Sequence, residues 1–271
     1  DGGNSFTRLE IKAPLIDLGF KQRWAVFDLI LSKKNSSLPD RTIQFCNSER
    51  PATYCRNVGL RRRWEFALHD NETNEEVLLN HNVWNFLKPW VSKNDAILER
   101  KTIYTFKSAV AKKWMKNRIF IAGDAAHLTP PFMGQGMCQG LRDAANLIWK
   151  LNQVERFKAS ATLFRHYERE RKPHVKALTE FTKSLGETIC ERDPAKAKAR
   201  DARLEEDLRS GRMVTIRQNL IPNLTDGVLD LKNGNPVGPA GRLFPQPNVV
   251  DSTGREALLD DIVGEGFLLV I

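Results

Sequence analysis

The segment from Arg118 to Gly140 limits how this chain can fold more than any other stretch. Four apolar residues, Ile119 to Ala122, run into Gly123 and Asp124, and the chain then passes through Pro130-Pro131 and Gly134-Gln135-Gly136 into a helical run, Met137 to Leu151. This order predicts a buried strand that ends in an acid, a stiff loop and a helix. Gly123 has no side chain to keep another backbone away. Asp124 falls at the carboxyl end of the strand, the place where α/β folds hold ligands. Along the helix Met137, Leu141, Ala144, Ala145, Ile148 and Leu151 recur at i, i+4 and i+7, which predicts a buried amphipathic face.

The hundred residues before this segment follow a different rule. From Leu9 to about Lys107 the apolar residues alternate, as in Trp24 to Leu31, Thr42 to Cys46 and Trp64 to Leu68. Polar or Pro-containing breaks separate the runs, so the natural assembly is an antiparallel sheet with one face packed and the other meeting water or ligand. Asn74 to Trp90 has helical spacing closed by Pro89, and Leu98 to Ala111 returns to alternation. After the central helix, a second helical region starts near Ser160. Pro173 is expected to break or kink it before Val175 to Ile189 resumes. Asp193 to Arg212 reads as an exposed charged helix. From Ile221 the chain becomes rich in Gly, Pro and Asn, the signature of loops or a linker.

With 271 residues, 41% hydrophobic and 28% charged, the chain has an ordinary globular composition. No run approaches the roughly 18 apolar residues of a membrane-spanning helix. Cys46, Cys55, Cys138 and Cys190 form no C-x-x-C pair, and the five histidines form no H-E-x-x-H, so a metal site is not indicated and free thiols in a reducing cytoplasm are the simplest reading. A formal charge of +9 raises the question of a polyanion partner. The basic residues are dispersed, however, and the densest group, Arg61-Arg62-Arg63, runs straight into a strand, so nucleic acid is not the expected partner.

The chemistry available to the central segment can be stated residue by residue. Asp124 offers two acceptor oxygens, suited either to ligand hydroxyls or to capping nearby backbone N–H groups. Gly134, Gln135, Gly136 and Met137 open a helix whose unpaired N–H groups and dipole stabilise negative charge. Gly134-x-Gly136-x-x-x-Gly140 departs from the G-x-G-x-x-G spacing and is weak as a dinucleotide fingerprint. Pro131, with Pro130, stiffens the approach. His127 reads as a structural histidine, and no catalytic base stands out.

Taken together, Gly123-Asp124, Ala125-Ala126-His127, the double proline, the Gly-x-Gly and the Asp143-Ala-x-Asn146-Leu helix closely resemble the second flavin motif of the FAD-dependent aromatic hydroxylases, the single-component flavoprotein monooxygenases. Asp1-Gly-Gly-Asn-Ser-Phe-Thr-Arg8 is similar to their Asp-Gly motif. The closing stretch, Gly241 to Ile271, resembles the entry to the thioredoxin-like domain of phenol and hydroxyphenylpropionate hydroxylases.

The resemblance implies an α/β (α+β) fold in which a partial FAD-binding Rossmann-like domain is interleaved with an antiparallel substrate sheet. Residues 1–8 and 111–158 would be FAD-domain segments, 9–110 the substrate domain, 159–220 a helical region, and 221–271 a linker and the start of the thioredoxin-like domain. It also implies an internal fragment without the first βαβ unit. FAD would be held by Asp124, Gly123, Pro131, the 134–137 turn, Asp1 and Arg8, with NAD(P)H as reductant. A small aromatic substrate would be hydroxylated with O2 through a flavin hydroperoxide, and a homo-oligomer is compatible. The rival reading is a non-catalytic remnant that keeps a partial flavin cleft or an interaction role.

Overall fold

The computed structural model describes residues 6–33, 37–212, 220–264 and 266–268. Its centre is an antiparallel sheet built on two long strands, β1 (Leu15–Leu31) and β5 (Ala96–Ala111). These are flanked by β2 (Ile43–Phe45), β3 (Ala52–Cys55) and β4 (Arg61–Ala67) on one side and the short β8 (His127–Leu128) on the other, in the order β2-β3-β4-β1-β5-β8. Phe27 pairs with Trp64 of β4 and Trp24 with Tyr104 of β5. A register shift between Asp17 and Lys21 bends β1 where it approaches the Gly123-Asp124 loop.

Alternation in β1 does divide two faces, but both are covered at the centre. Ala25, Phe27, Leu29 and Leu31 join Tyr54, Trp64 and Phe66 under α2 (Asn74–Val77) and α3 (Asn80–Leu87). The other face carries Trp24, which packs with Phe106, Phe132 and Ile189. Asp28, also on this face, is bound by Arg63 at 2.6 Å and Arg100 at 2.7 Å. The dense basic cluster is thereby accounted for inside the protein: Arg61 pairs with Glu99, Arg62 donates to the carbonyl of Gly59, and Arg63 holds Asp28.

The helical half differs from the sequence expectation in three ways. First, the strand before Gly123 is reduced to β7 (Ile119–Phe120), paired only with β6 (Met115–Lys116), and Ile119 is exposed. A buried parallel strand needs neighbours on both sides, and among the described residues every strand pairing is antiparallel. Second, Pro173 lies inside a continuous helix, α5 (Phe164–Ile189). The missing N–H is tolerated because Tyr167, Glu170, Arg171, Val175 and Leu178 bury the helix on both sides of it.

Third, the apolar stripe of α4 (Gly136–Phe157) faces outward. Met137 is 77% exposed, Leu141 61% and Ile148 54%, whereas Gln139, Asp143 and Lys150 on the opposite face are buried. The α4–α5 seam is therefore polar, with Asp143 bound to Arg171 and Lys150 to Glu170. Amphipathic spacing identifies two faces of a helix but does not say which one its own chain covers.

Beyond α5, α6 (Pro194–Arg209) begins at Asp193, whose carboxylate accepts the Lys196 N–H as an N-cap. No helix among the described residues is long and apolar enough to cross a membrane.

Candidate functional site

Asp143 organises the loop that carries Asp124. It is fully buried, and its Oδ2 accepts the Gly123 N–H at 2.9 Å and stands 2.8 Å from His127 Nε2, while Oδ1 accepts Arg171 Nε at 2.8 Å. Burial pushes its carboxyl upward, but His127, Arg171 and the Gly123 N–H outweigh that and hold it below the usual carboxylate range. His127 also stacks on Trp114 at 5.6 Å between ring centroids. This histidine is a structural bracket, in keeping with its sequence reading.

Gly123 takes φ +56°, a left-handed conformation that favours glycine, and a Cβ there would rest 3.6 Å from Gly140 Cα. The loop and α4 thus meet backbone to backbone. From the other side Arg8, in α1 (Phe6–Glu10), donates through Nη1 to the Ala125 carbonyl at 3.0 Å. The arginine of the amino-terminal motif thus grips the Gly123-Asp124 loop directly, across 117 residues of chain. Asp1 lies outside the described residues.

The consequence is that Asp124 stands at the edge of a cleft of about 530 Å³ shared with Gly136, the first residue of α4. Asp124 is exposed, and its carboxylate makes no hydrogen bond or ion pair with the described residues. A Cβ on Gly136 would meet nothing within 4 Å, so the mouth of the helix is open. Across the cleft the sheet contributes Phe20 and Lys21 of β1 and Thr105, Phe106 and Lys107 of β5, with Lys21 and Lys107 directly paired in register. The rings of Phe20, Trp24 and Phe106 stand 5.7 to 6.4 Å from that of Phe132 in edge-on contacts.

Not every residue singled out in the sequence lies here. Gly134 has φ +61° and closes the turn through its N–H to the Pro131 carbonyl, a conformational role. Pro131 starts that turn and is exposed. Gln135 is buried, with its side-chain oxygen accepting Arg142 Nη1, and lines a different cavity. Met137 points to solvent. Trp64 and Phe66 belong with Phe27 to the core under α3.

Three things were missed: Asp143 as the hub, the Lys21–Lys107 pair and Arg171. The signal for the first was present, since Gln139, Asp143 and Lys150 form a second, polar stripe along α4.

His174, next to Arg171, gives a pH test. Burial and the guanidinium groups of Arg171 and Arg142 push it down to about 4 from an ordinary 6.5. Below pH 6.5 the unfolded chain takes up a proton that the fold refuses until about pH 4, so stability falls through that window as acid is added. His174→Gln should flatten this limb of a urea-unfolding pH series. An unchanged slope between pH 6.5 and 4 would mean that the imidazole is already charged in the fold.

Sequence and fold both have counterparts among known proteins. Residues 1–182 match the family model described as FAD binding domain, and residues 241–271 match that of the HcaD C-terminal domain. The chain belongs to the FAD-binding monooxygenase family. Over its whole length it is 36% identical to a probable NADH-specific resorcinol 4-hydroxylase of Rhodococcus jostii (strain RHA1), covering 48% of that protein. It is 33% identical to a 3-(3-hydroxy-phenyl)propionate/3-hydroxycinnamic acid hydroxylase of Mycolicibacterium smegmatis (strain ATCC 700084 / mc(2)155), covering 49% of it. The chain thus spans about half the length of these curated relatives. In fold it is similar to aklavinone-11 hydroxylase, solved with FAD and aklavinone, with a TM-score of 0.78 at 19% identity over 98% of this chain and 50% of that one.

Proposed function

We propose that this chain is part of a FAD- and NAD(P)H-dependent monooxygenase that hydroxylates a phenolic ring. The observation that carries the proposal is the shared cleft: the Asp124 carboxylate, unpaired among the described residues, and the open first turn of α4 at Gly136 border one volume with an aromatic-backed sheet. FAD, when bound, supplies the electrons taken from the nicotinamide and the activation of O2. The chain's own residues position and shield. Asp124 accepts hydrogen bonds from hydroxyls of the ribityl chain. The free N–H groups of the first turn of α4 stabilise negative charge on the ring edge they face. Arg8 and Asp143 hold the Gly123-Asp124 loop in register with that turn.

On the sheet side, Phe20 and Phe106 exclude water from the reacting ring, and Lys21 and Lys107 bring positive charge that favours a phenolate or carboxylate. Residues 9–110 are accordingly assigned to the substrate and 111–158 to the cofactor. The two relatives named above act, by their names, on resorcinol and on hydroxyphenylpropionate, which makes these the substrates to try first.

Asp124→Ala is expected to weaken FAD retention about tenfold or more, the equivalent of one charge-assisted hydrogen bond of about 1.5 kcal/mol or more. Flavin absorbance during equilibrium dialysis measures it. Wild-type affinity in the variant would remove Asp124 from the cofactor contact. Substrate-stimulated NADH oxidation with a hydroxylated product tests the activity, and a folded protein that binds no FAD would overturn the reading.

A further inference from the structure

The 221–246 segment lies across α4 and α5 and encloses a second cavity of about 1080 Å³. Its wall is fixed by close approaches. Gly227 leaves no room for a Cβ beside Glu170, the Val228 N–H donates to Glu170 Oε1 at 2.9 Å, and Arg169 pairs with Asp226 at 2.7 Å. Gly241 likewise leaves no room for a Cβ beside the Leu224 carbonyl, and its own carbonyl accepts the Leu224 N–H at 2.9 Å. Two glycines at positive φ, +120° and +78°, therefore hold the segment in place.

What lines this cavity is electrostatically one-sided. Arg142, Arg171 and Arg242 all face it, and no Asp or Glu is among the described residues that line it. Arg171 is buried, with Nε on Asp143 but Nη2 without any acceptor. Arg142 meets only the neutral Gln135 Oε1, at 3.2 Å. Arg242 is exposed, and its guanidinium makes no hydrogen bond or ion pair with the described residues. Among the described residues two guanidinium groups thus have no acidic partner, beside a third that keeps an N–H without one, a lining suited to acidic oxygens. The remaining lining includes two aromatic rings, Trp149 of α4 and Phe244 of the segment.

We propose that this cavity binds a phosphate-bearing nucleotide, with Arg142 and Arg242 on the phosphate oxygens and Trp149 and Phe244 flanking the base. Planar guanidinium forks match phosphate geometry, and aromatic faces stack on bases. A bare anion would fill only a small part of the volume of about 1080 Å³, which is slightly above the about 300 to 1,000 Å³ typical of small-molecule sites. The site is separate from the cleft at Asp124. Gly136 borders that cleft and Gln135 this cavity, and no described residue lines both. The inference does not depend on the flavin reading.

ADP is the probe, titrated into the protein by isothermal calorimetry with and without added FAD. One-to-one binding is expected, weakened at least tenfold by Arg242→Ala and by Arg142→Ala, less by Arg242→Lys, and unchanged by Asp124→Ala. Inorganic phosphate should compete at least tenfold more weakly than ADP. No saturable binding up to millimolar ADP, or equal affinity in both alanine variants, overturns the proposal. So does loss of ADP binding in Asp124→Ala, which would place the nucleotide in the other cleft. Phosphate as tight as ADP would replace a nucleotide site by a bare anion site, and Arg242-dependent binding of 3-phenylpropionate without ADP binding would replace it by a carboxylate site.

Discussion

Asp143→Ala is expected to cost about 3 to 5 kcal/mol of folding stability, the range for removing one partner from a buried ion pair. The carboxylate serves Gly123 N–H, His127 and Arg171 at once, each within 2.9 Å, so its removal leaves a buried guanidinium and two orphaned donors. Asp143→Asn keeps the shape and one acceptor but turns an amide N–H toward donors, so it should fall between alanine and wild type. Urea unfolding measures both. A loss below about 1 kcal/mol for the alanine variant would show that water or a rearranged Arg171 satisfies the site, and the hub described here would be wrong.

The second large effect is expected at Lys150, which is wholly buried and bound to Glu170 Oε2 at 2.6 Å and Asn146 Oδ1 at 2.8 Å. Lys150→Met should cost about 3 kcal/mol, because Glu170 loses its buried cationic partner and keeps, among the described residues, Asn146 and the Val228 N–H as hydrogen-bond donors. Adding Glu170→Gln removes the stranded charge and keeps an acceptor for Val228. The double variant should recover at least half of the loss. A double-mutant cycle with no coupling between the two positions would contradict a direct pair.

These two residues also show what the sequence made legible. The two faces of α4 could both be read from it, since Met137, Leu141 and Ile148 mark one side and Gln139, Asp143 and Lys150 the other. Choosing which side turns inward requires the partner, and the partner, α5, carries Arg171 and Glu170 in its buried face. Charges that match across a seam are visible only when both helices are in place. The alternation of Trp24 to Leu31 likewise fixed a strand and its two faces. That both faces are covered depends on where α3 and α5 return, which no local pattern states.

At the candidate site, the type and spacing of Asp124 and Gly136 suggested a ligand-facing pair, and the two residues do border one cleft. Successive positions on a helix point about 100° apart, and of Gln135, Gly136 and Met137 it is Gly136 that borders the cleft. Lys21 and Lys107 were not legible in the sequence. They lie 86 positions apart and become neighbours only through the register of β1 and β5.

Three groups meet on the one carboxylate of Asp143: the Gly123 N–H and His127, from a single loop 16 to 20 positions earlier, and Arg171, 28 positions further on. Arg171 is the tie from α5 in this set, added to those from Arg8, the β5 pairing and the α4 backbone, so docking of α5 stiffens the loop that presents Asp124 and grip on a ligand should follow the integrity of the helical layer.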